Sequence, residues 1–186
     1  ADFGQQVLAT VRDASRQTPY ALVHYRSLWD GLLLAQHKAE FGYCTVFEVN
    51  GLPSIELKYH YPALAGSPLV EKIREQEIAA LALSDAILCP SEITRLFLVS
   101  LGAEPRKIRV IPNGVSPRDF PAMPLPARHP DQPPALLYIG TLADWQGLEI
   151  VIQAMPAILA QTPARLRIVG RGRSRQGPLE IISDGE

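Results

Sequence analysis

The side chains best placed to do chemistry gather at the ends of short β-branched runs. His24, Tyr25 and Arg26 close the run Leu22-Val23-His24-Tyr25, and Glu48, Val49 and Asn50 close Thr45-Val46-Phe47-Glu48-Val49. In an open parallel sheet, ligands collect beyond the carboxyl ends of the strands, so these residues are candidates to meet a bound molecule. A carboxylate at Glu48 can accept the proton of a hydroxyl. It can equally be a strand-end group hydrogen-bonded to backbone or to Arg26, and His24 reads as structural. A second chemistry is open at Gly140 and Gly147, which bracket a tight turn leading into a helix. Glycine lets a ligand approach the backbone and a helix N-terminus is electropositive, so N–H groups there can hold a diphosphate.

These residues need strands and helices to position them. Further β-branched or apolar runs occur at Ala86-Ile87-Leu88-Cys89, Ile108-Arg109-Val110-Ile111, Leu136-Leu137-Tyr138-Ile139 and Leu166-Arg167-Ile168-Val169, and they alternate with helical patterns. That alternation predicts α/β architecture with parallel sheets. The helix after the first strand has Ser27 as N-cap with Asp30 three residues on, apolar Leu28, Leu32, Ala35 and Ala39, and Gly42 as its stop. Ser67-Pro68 opens a longer helix in which Ile73, Glu77 and Leu81 share a stripe, which makes Glu77 a partly buried structural carboxylate held by an Arg or a backbone donor. A third helix is capped by Ser91 and runs to about Leu101-Gly102, and another covers Leu148 to Leu159. Asn113-Gly114 follows a strand, where either residue can adopt a left-handed turn that shapes a hinge beside a cleft. From Ser116 to Pro134 the density of proline excludes a helix or a central strand. The expected organisation is therefore residues 1–115 as one α/β unit, 116–134 as a connector and 135–186 as the start of a second unit.

Composition narrows the function classes. The chain has 186 residues, 47% of them hydrophobic, and a formal net charge of -1. That suits a soluble globular protein and gives no basic surplus for nucleic acid, which is not expected as a partner. The longest apolar runs, such as Leu32-Leu33-Leu34-Ala35, fall far short of the ~20 residues of a membrane span, and no signal peptide is read. Cys44 and Cys89 lack the paired spacing of a metal site and are expected to be buried free thiols, in keeping with a cytoplasmic location. The chain opens on Ala1 and stops at Ser183-Asp184-Gly185-Glu186 without a closing strand or helix signal, so it reads as a fragment.

Two blocks carry a resemblance. Ser84-Asp85-Ala86-Ile87-Leu88-Cys89-Pro90-Ser91-Glu92, followed by Ile108-Arg109-Val110-Ile111-Pro112-Asn113-Gly114-Val115 and Phe120, resembles the family-4 retaining glycosyltransferases. After the connector, Leu137-Tyr138-Ile139-Gly140-Thr141-Leu142, Trp145-Gln146-Gly147-Leu148-Glu149, Ala154 and Leu166-Arg167-Ile168-Val169-Gly170-Arg171-Gly172 look like the opening of that family's donor domain. Residues 21–62 resemble the second half of its acceptor domain. The resemblance implies the GT-B fold, two Rossmann-like domains both incomplete here, and transfer of a sugar with retention from a nucleotide diphosphate sugar to an acceptor hydroxyl, in glycan, glycolipid or polysaccharide biosynthesis. It also implies that the first strand with its Gly-rich loop and the paired-glutamate motif lie outside the chain, which is then not expected to turn over substrate alone.

The implied partners are a nucleotide-sugar donor and a glycan or lipid-linked acceptor. No cofactor or metal is required in principle, and peripheral contact with the inner membrane face is conceivable through the acceptor. The implied donor diphosphate residues are Gly140, Thr141, Gln146, Gly147, Gly170, Arg171 and Gly172. Many members place Arg where Thr141 stands and Lys where Gln146 stands; neutral hydrogen bonds from Thr and Gln are roughly half as strong as charge-assisted ones. Arg171 and Arg173 either compensate or are solvent-facing charges. Relatives often carry His where Glu48 stands, and His24, Arg26 and Asn50 flank it on the acceptor side. Two other readings stay open: a degenerate homologue serving as a partner subunit, and a nicotinamide-dependent oxidoreductase using Gly170-Arg171-Gly172 as a dinucleotide loop, with Arg175 where that loop's third glycine belongs.

Overall fold

Four short strands of the first unit pair in parallel, as the alternating pattern predicts, and they do so in sequence order. The computed structural model describes residues 3–121, 133–174 and 177–182. The chain separates into two units, Ala1–Phe120 and Pro121–Glu186, so the boundary falls inside the proline-dense stretch. Pro124, Pro126, Pro130, Arg175 and Ser183 to Glu186 lie outside the described residues.

In the first unit, β1 (Leu22–Tyr25), β2 (Cys44–Glu48), β3 (Ala86–Cys89) and β4 (Ile108–Val110) form one parallel sheet of order β1-β2-β3-β4. The helices are α1 (Phe3–Gln17), α2 (Leu28–Gln36), α3 (Lys38–Phe41), α4 (Pro53–His60), α5 (Pro68–Leu83) and α6 (Glu92–Ser100). Phe47, Ile87, Leu81, Leu98 and Val49 are the centre of the core. Ser27 caps α2 by accepting the N–H of Trp29, and Ser91 caps α6 by accepting that of Thr94. Each such cap is worth about 1 kcal/mol.

Three expectations need correction in this unit. The helix expected to run to Gly42 breaks at His37, and past the break Lys38 donates to the Leu83 carbonyl at 2.7 Å and to the Asp85 carboxylate at 2.6 Å. Burial pushes the Asp85 carboxyl up, but the bonds from Lys38 and from the Thr45 backbone and hydroxyl outweigh it and hold it below its ordinary value. Cys89 is buried, but Cys44 is exposed, because it opens β2 on the non-core side of the alternation. Asn113 and Gly114 are exposed and neither has a positive φ, so the left-handed turn does not form there; the last backbone bond to the sheet is that of the Ile111 N–H to the Cys89 carbonyl. Glu77, by contrast, is the structural carboxylate expected. It is fully buried and accepts the Ser54 N–H at 2.8 Å and the Ser54 hydroxyl at 2.6 Å.

The second unit contains β5 (Ala135–Ile139), α7 (Leu148–Leu159), β6 (Arg165–Ser174) and β7 (Gly177–Ile182). β5 and β6 are parallel neighbours, with Ile139 opposite Val169. β6 runs on past Val169 to Ser174 and pairs with β7 as an antiparallel hairpin, an edge that the sequence did not signal. Gly170 and Gly172 therefore sit within a strand. A Cβ at Gly170 would lie 1.9 Å from the Gly140 carbonyl oxygen, and one at Gly172 would lie 2.0 Å from that of Leu142. Glycine is needed at both because the segment 140–142 crosses directly over them.

Candidate functional site

Alternate residues of a strand share a face, so His24 and Arg26 project with Glu48 and Asn50 at the carboxyl ends of β1 and β2. The structure brings all four together on the Glu48 carboxylate. His24 Nε2 lies 2.9 Å from Oε2, Arg26 Nε lies 3.2 Å from Oε1, and Asn50 Nδ2 donates to Oε1 at 2.7 Å. The Asn50 hydrogen bond is the largest influence on Glu48 and, with the Arg26 and His24 charges, holds its carboxyl below the ordinary glutamate value against the opposing effect of burial. Base strength falls with pKa, so this carboxylate is a poor proton acceptor, while as an ionised group it has lone pairs that accept hydrogen bonds. Tyr25 and Val49 sit on the opposite face and belong to the core instead. The Tyr25 ring stacks on Phe47 at 4.8 Å and its hydroxyl bonds Ser84 Oγ at 2.7 Å.

Beside the cluster is a cavity of about 430 Å³, walled by Arg26, Trp29, Asn50 and Glu56 and floored by Phe47 and Leu28. Trp29 and Glu56 were not singled out in the sequence. Both stand in the first turn of the helix that follows a strand, α2 after β1 and α4 after β2, which is where a strand-end ligand would meet them. The available signal for α4 was Pro53 at its first position. A second, more apolar cavity of about 310 Å³ shares Asn50, Gly51 and Glu56 with the first and is closed by Ile55, Ile93 and Phe97. The Glu56 carboxylate rests on Gly51, where a Cβ would lie 1.8 Å from its Oε1.

In the second unit, Gly140 ends β5 and Gly147, at φ 70°, caps the N-terminus of α7. Between them the chain makes a 3-10 turn at Asp144–Gln146. Thr141 and Gln146 face each other across the turn, with Gln146 Nε2 donating to Thr141 Oγ1 at 3.4 Å. The Thr141 carbonyl accepts the Tyr138 hydroxyl at 2.7 Å. Glu149 places a carboxylate in the first turn of α7. The Gly140 N–H is taken by the Val169 carbonyl, and the Leu142 N–H by that of Arg171. Gly140, Thr141, Gln146 and Gly147 thus form one strand-to-helix turn, whereas Gly170, Arg171 and Gly172 lie in β6 alongside it. A dinucleotide loop requires a turn from strand into helix, and the position of Gly170-Arg171-Gly172 inside a strand removes that reading. Among the described residues, no group of three or more His, Cys, Asp or Glu side chains is assembled as a metal ligand set, and no helix is long and apolar enough to cross a membrane.

Residues 3–119 match the family described as Glycosyltransferase Family 4. The chain belongs to that family. Solved structures of similar fold include HepE from Anabaena in complex with UDP-glucose, at 16% identity and a TM-score of 0.58, covering 91% of this chain and 44% of that one. Sucrose-phosphate synthase from Thermosynechococcus elongatus is similar at 22% identity and a TM-score of 0.63, covering 91% and 41%. The lipopolysaccharide outer core galactosyltransferase WaaB in its apo form is similar at 14% identity and a TM-score of 0.57, covering 90% and 41%. The chain therefore spans less than half the length of each of these proteins, and what they share with it is the GT-B type of α/β fold. No curated protein matches the sequence.

Proposed function

We propose that this chain is the acceptor-side unit and the opening of the donor unit of a glycosyltransferase that moves a sugar, with retention, from a nucleotide diphosphate to an acceptor hydroxyl. The observation that carries the proposal is the convergence of His24, Arg26 and Asn50 on Glu48 at the carboxyl ends of β1 and β2, beside an open cavity, in a chain of this family. Similarity to a structure holding UDP-glucose supports a nucleotide sugar as donor.

In the reaction the bond from the anomeric carbon to the diphosphate oxygen breaks and one to the acceptor oxygen forms. The acceptor hydroxyl loses its proton. The departing phosphate, with a pKa of about 6, is a stronger base than a carboxylate held below the usual ~4.3, so the proton leaves with the nucleotide diphosphate rather than with Glu48. Glu48 then accepts a hydrogen bond from the acceptor hydroxyl and fixes its direction, which is a gain in orientation rather than in proton transfer. In the second unit, the α7 N-terminus opened by Gly147 offers its electropositive end to the diphosphate, since the Gly140, Leu142, Ala143 and Gln146 N–H groups are already bonded within the fold. Thr141 and Gln146 supply neutral bonds there instead of two cations.

The test is incubation of the complete protein with UDP-, GDP- and ADP-sugars and a panel of hydroxyl acceptors, with the anomeric configuration of the product read by NMR. Release of nucleotide diphosphate with a product of the donor's own configuration is expected. Inverted product contradicts retention, and failure to bind or cleave any donor contradicts the transferase reading in favour of a partner subunit.

A further inference from the structure

The cavity beside the Glu48 cluster has a mixed polar and apolar lining. Trp29, in the first turn of α2, lines this cavity and is 53% exposed. Large aromatic side chains normally bury their area, and an exposed one on a cavity wall offers a flat apolar surface with a polar edge. Opposite chemistry surrounds it. Arg26, Asn50 and Glu56 bring a guanidinium, an amide and a carboxylate to the same cavity, all planar groups that hydrogen-bond in pairs. The volume, about 430 Å³, suits one small ligand.

Charge decides the class further. Arg26 is already engaged by Glu48. Counting Arg26, His24, Glu48 and Glu56, the cavity's surroundings carry no positive surplus whether or not His24 is protonated. An anionic ligand would find no unshared cation and would face Glu56 as well. A molecule with an apolar face, a ring of hydroxyls and no charge fits all of these features, and a pyranose is such a molecule.

The geometry points to an uncharged sugar ring as the acceptor, stacked on Trp29 and hydrogen-bonded through its hydroxyls by Arg26, Asn50 and Glu56, with the reacting hydroxyl directed at Glu48. This rests on the transferase reading above and narrows it. Trp29 and Glu56 become the residues that set acceptor specificity, and Trp29 works by its aromatic face.

Calorimetric titration of the complete protein with methyl glycosides of glucose, galactose and mannose, and with glucuronate and glucose 6-phosphate, tests this. At least one neutral glycoside should bind, with the anionic sugars weaker by about tenfold or more. Trp29→Ala should weaken neutral binding about tenfold while Trp29→Phe restores most of it, the size expected of one aromatic stacking contact. Since Trp29 is exposed, an unchanged melting temperature in both variants separates a lost platform from a lost fold. Neutral binding indifferent to Trp29→Ala, or a preference for the anionic sugars, overturns the acceptor assignment and leaves the transferase reading standing. Donor cleavage without binding of any of these sugars also overturns the assignment alone, whereas absence of both sugar binding and donor cleavage ends the two together.

Discussion

Glu48 is the residue on which the acceptor side turns, and its charge state is testable by itself. A carboxyl whose folded pKa is depressed contributes to the cluster above the unfolded value, and that contribution is lost as pH falls through the folded value. Carboxyl NMR should find Glu48 titrating below an ordinary glutamate. Asn50→Ala should move the midpoint back up, because the Asn50 bond is the largest single influence; an unchanged midpoint would show that the bond does not persist in solution. On the donor side, Thr141→Arg with Gln146→Lys should tighten nucleotide-sugar binding by about tenfold or more, since a charge-assisted bond exceeds a neutral one by about 1–1.5 kcal/mol. Calorimetry showing no gain would place the diphosphate elsewhere.

Among the elements, α4 and α5 are held together by a polar contact rather than by apolar packing alone. Glu77→Ala leaves the Ser54 N–H buried without its partner, and should lower stability by about 1–3 kcal/mol in urea unfolding. Glu77→Gln keeps an acceptor and should lower it less; equal losses would mean the bonding is incidental. In the second unit, Gly170→Ala must displace the backbone of Gly140, so amide protection along β5 and β6 should fall, by about 1–3 kcal/mol of local stability. Unaltered protection would refute the close crossing. Some elements with a period announced themselves, although α1 was not anticipated despite its amphipathic pattern. α7 has the bounds that its apolar pattern predicts, Leu148 to Leu159, and β1 and β3 likewise coincide with their β-branched or apolar runs. α4 did not, because Pro-Ser-Ile-Glu-Leu-Lys-Tyr-His has almost no apolar face, and β7 did not, because Gly177-Pro178 reads as loop and strand pairing is decided by a distant partner. The same limit applies to the site. His24, Arg26, Glu48 and Asn50 could be nominated from strand ends, but their meeting on one carboxylate depends on the β1–β2 register, and Trp29 and Glu56 depend on where two helices start.

At the scale of the whole molecule, each of the two units carries a candidate site at the carboxyl end of a parallel strand: the Glu48 cluster after β1 and β2, and the turn from Gly140 to Gly147 after β5. The central claim is a division of labour, with the diphosphate of the donor held by the second unit and the acceptor hydroxyl by the first. Amide NMR of the protein titrated with UDP-, GDP- and ADP-sugars tests that division most directly. The account predicts that at least one donor shifts the amides from Gly140 to Gly147 and of the first turn of α7. Donor-induced shifts that leave this turn untouched, or no shift with any of the three, would contradict it.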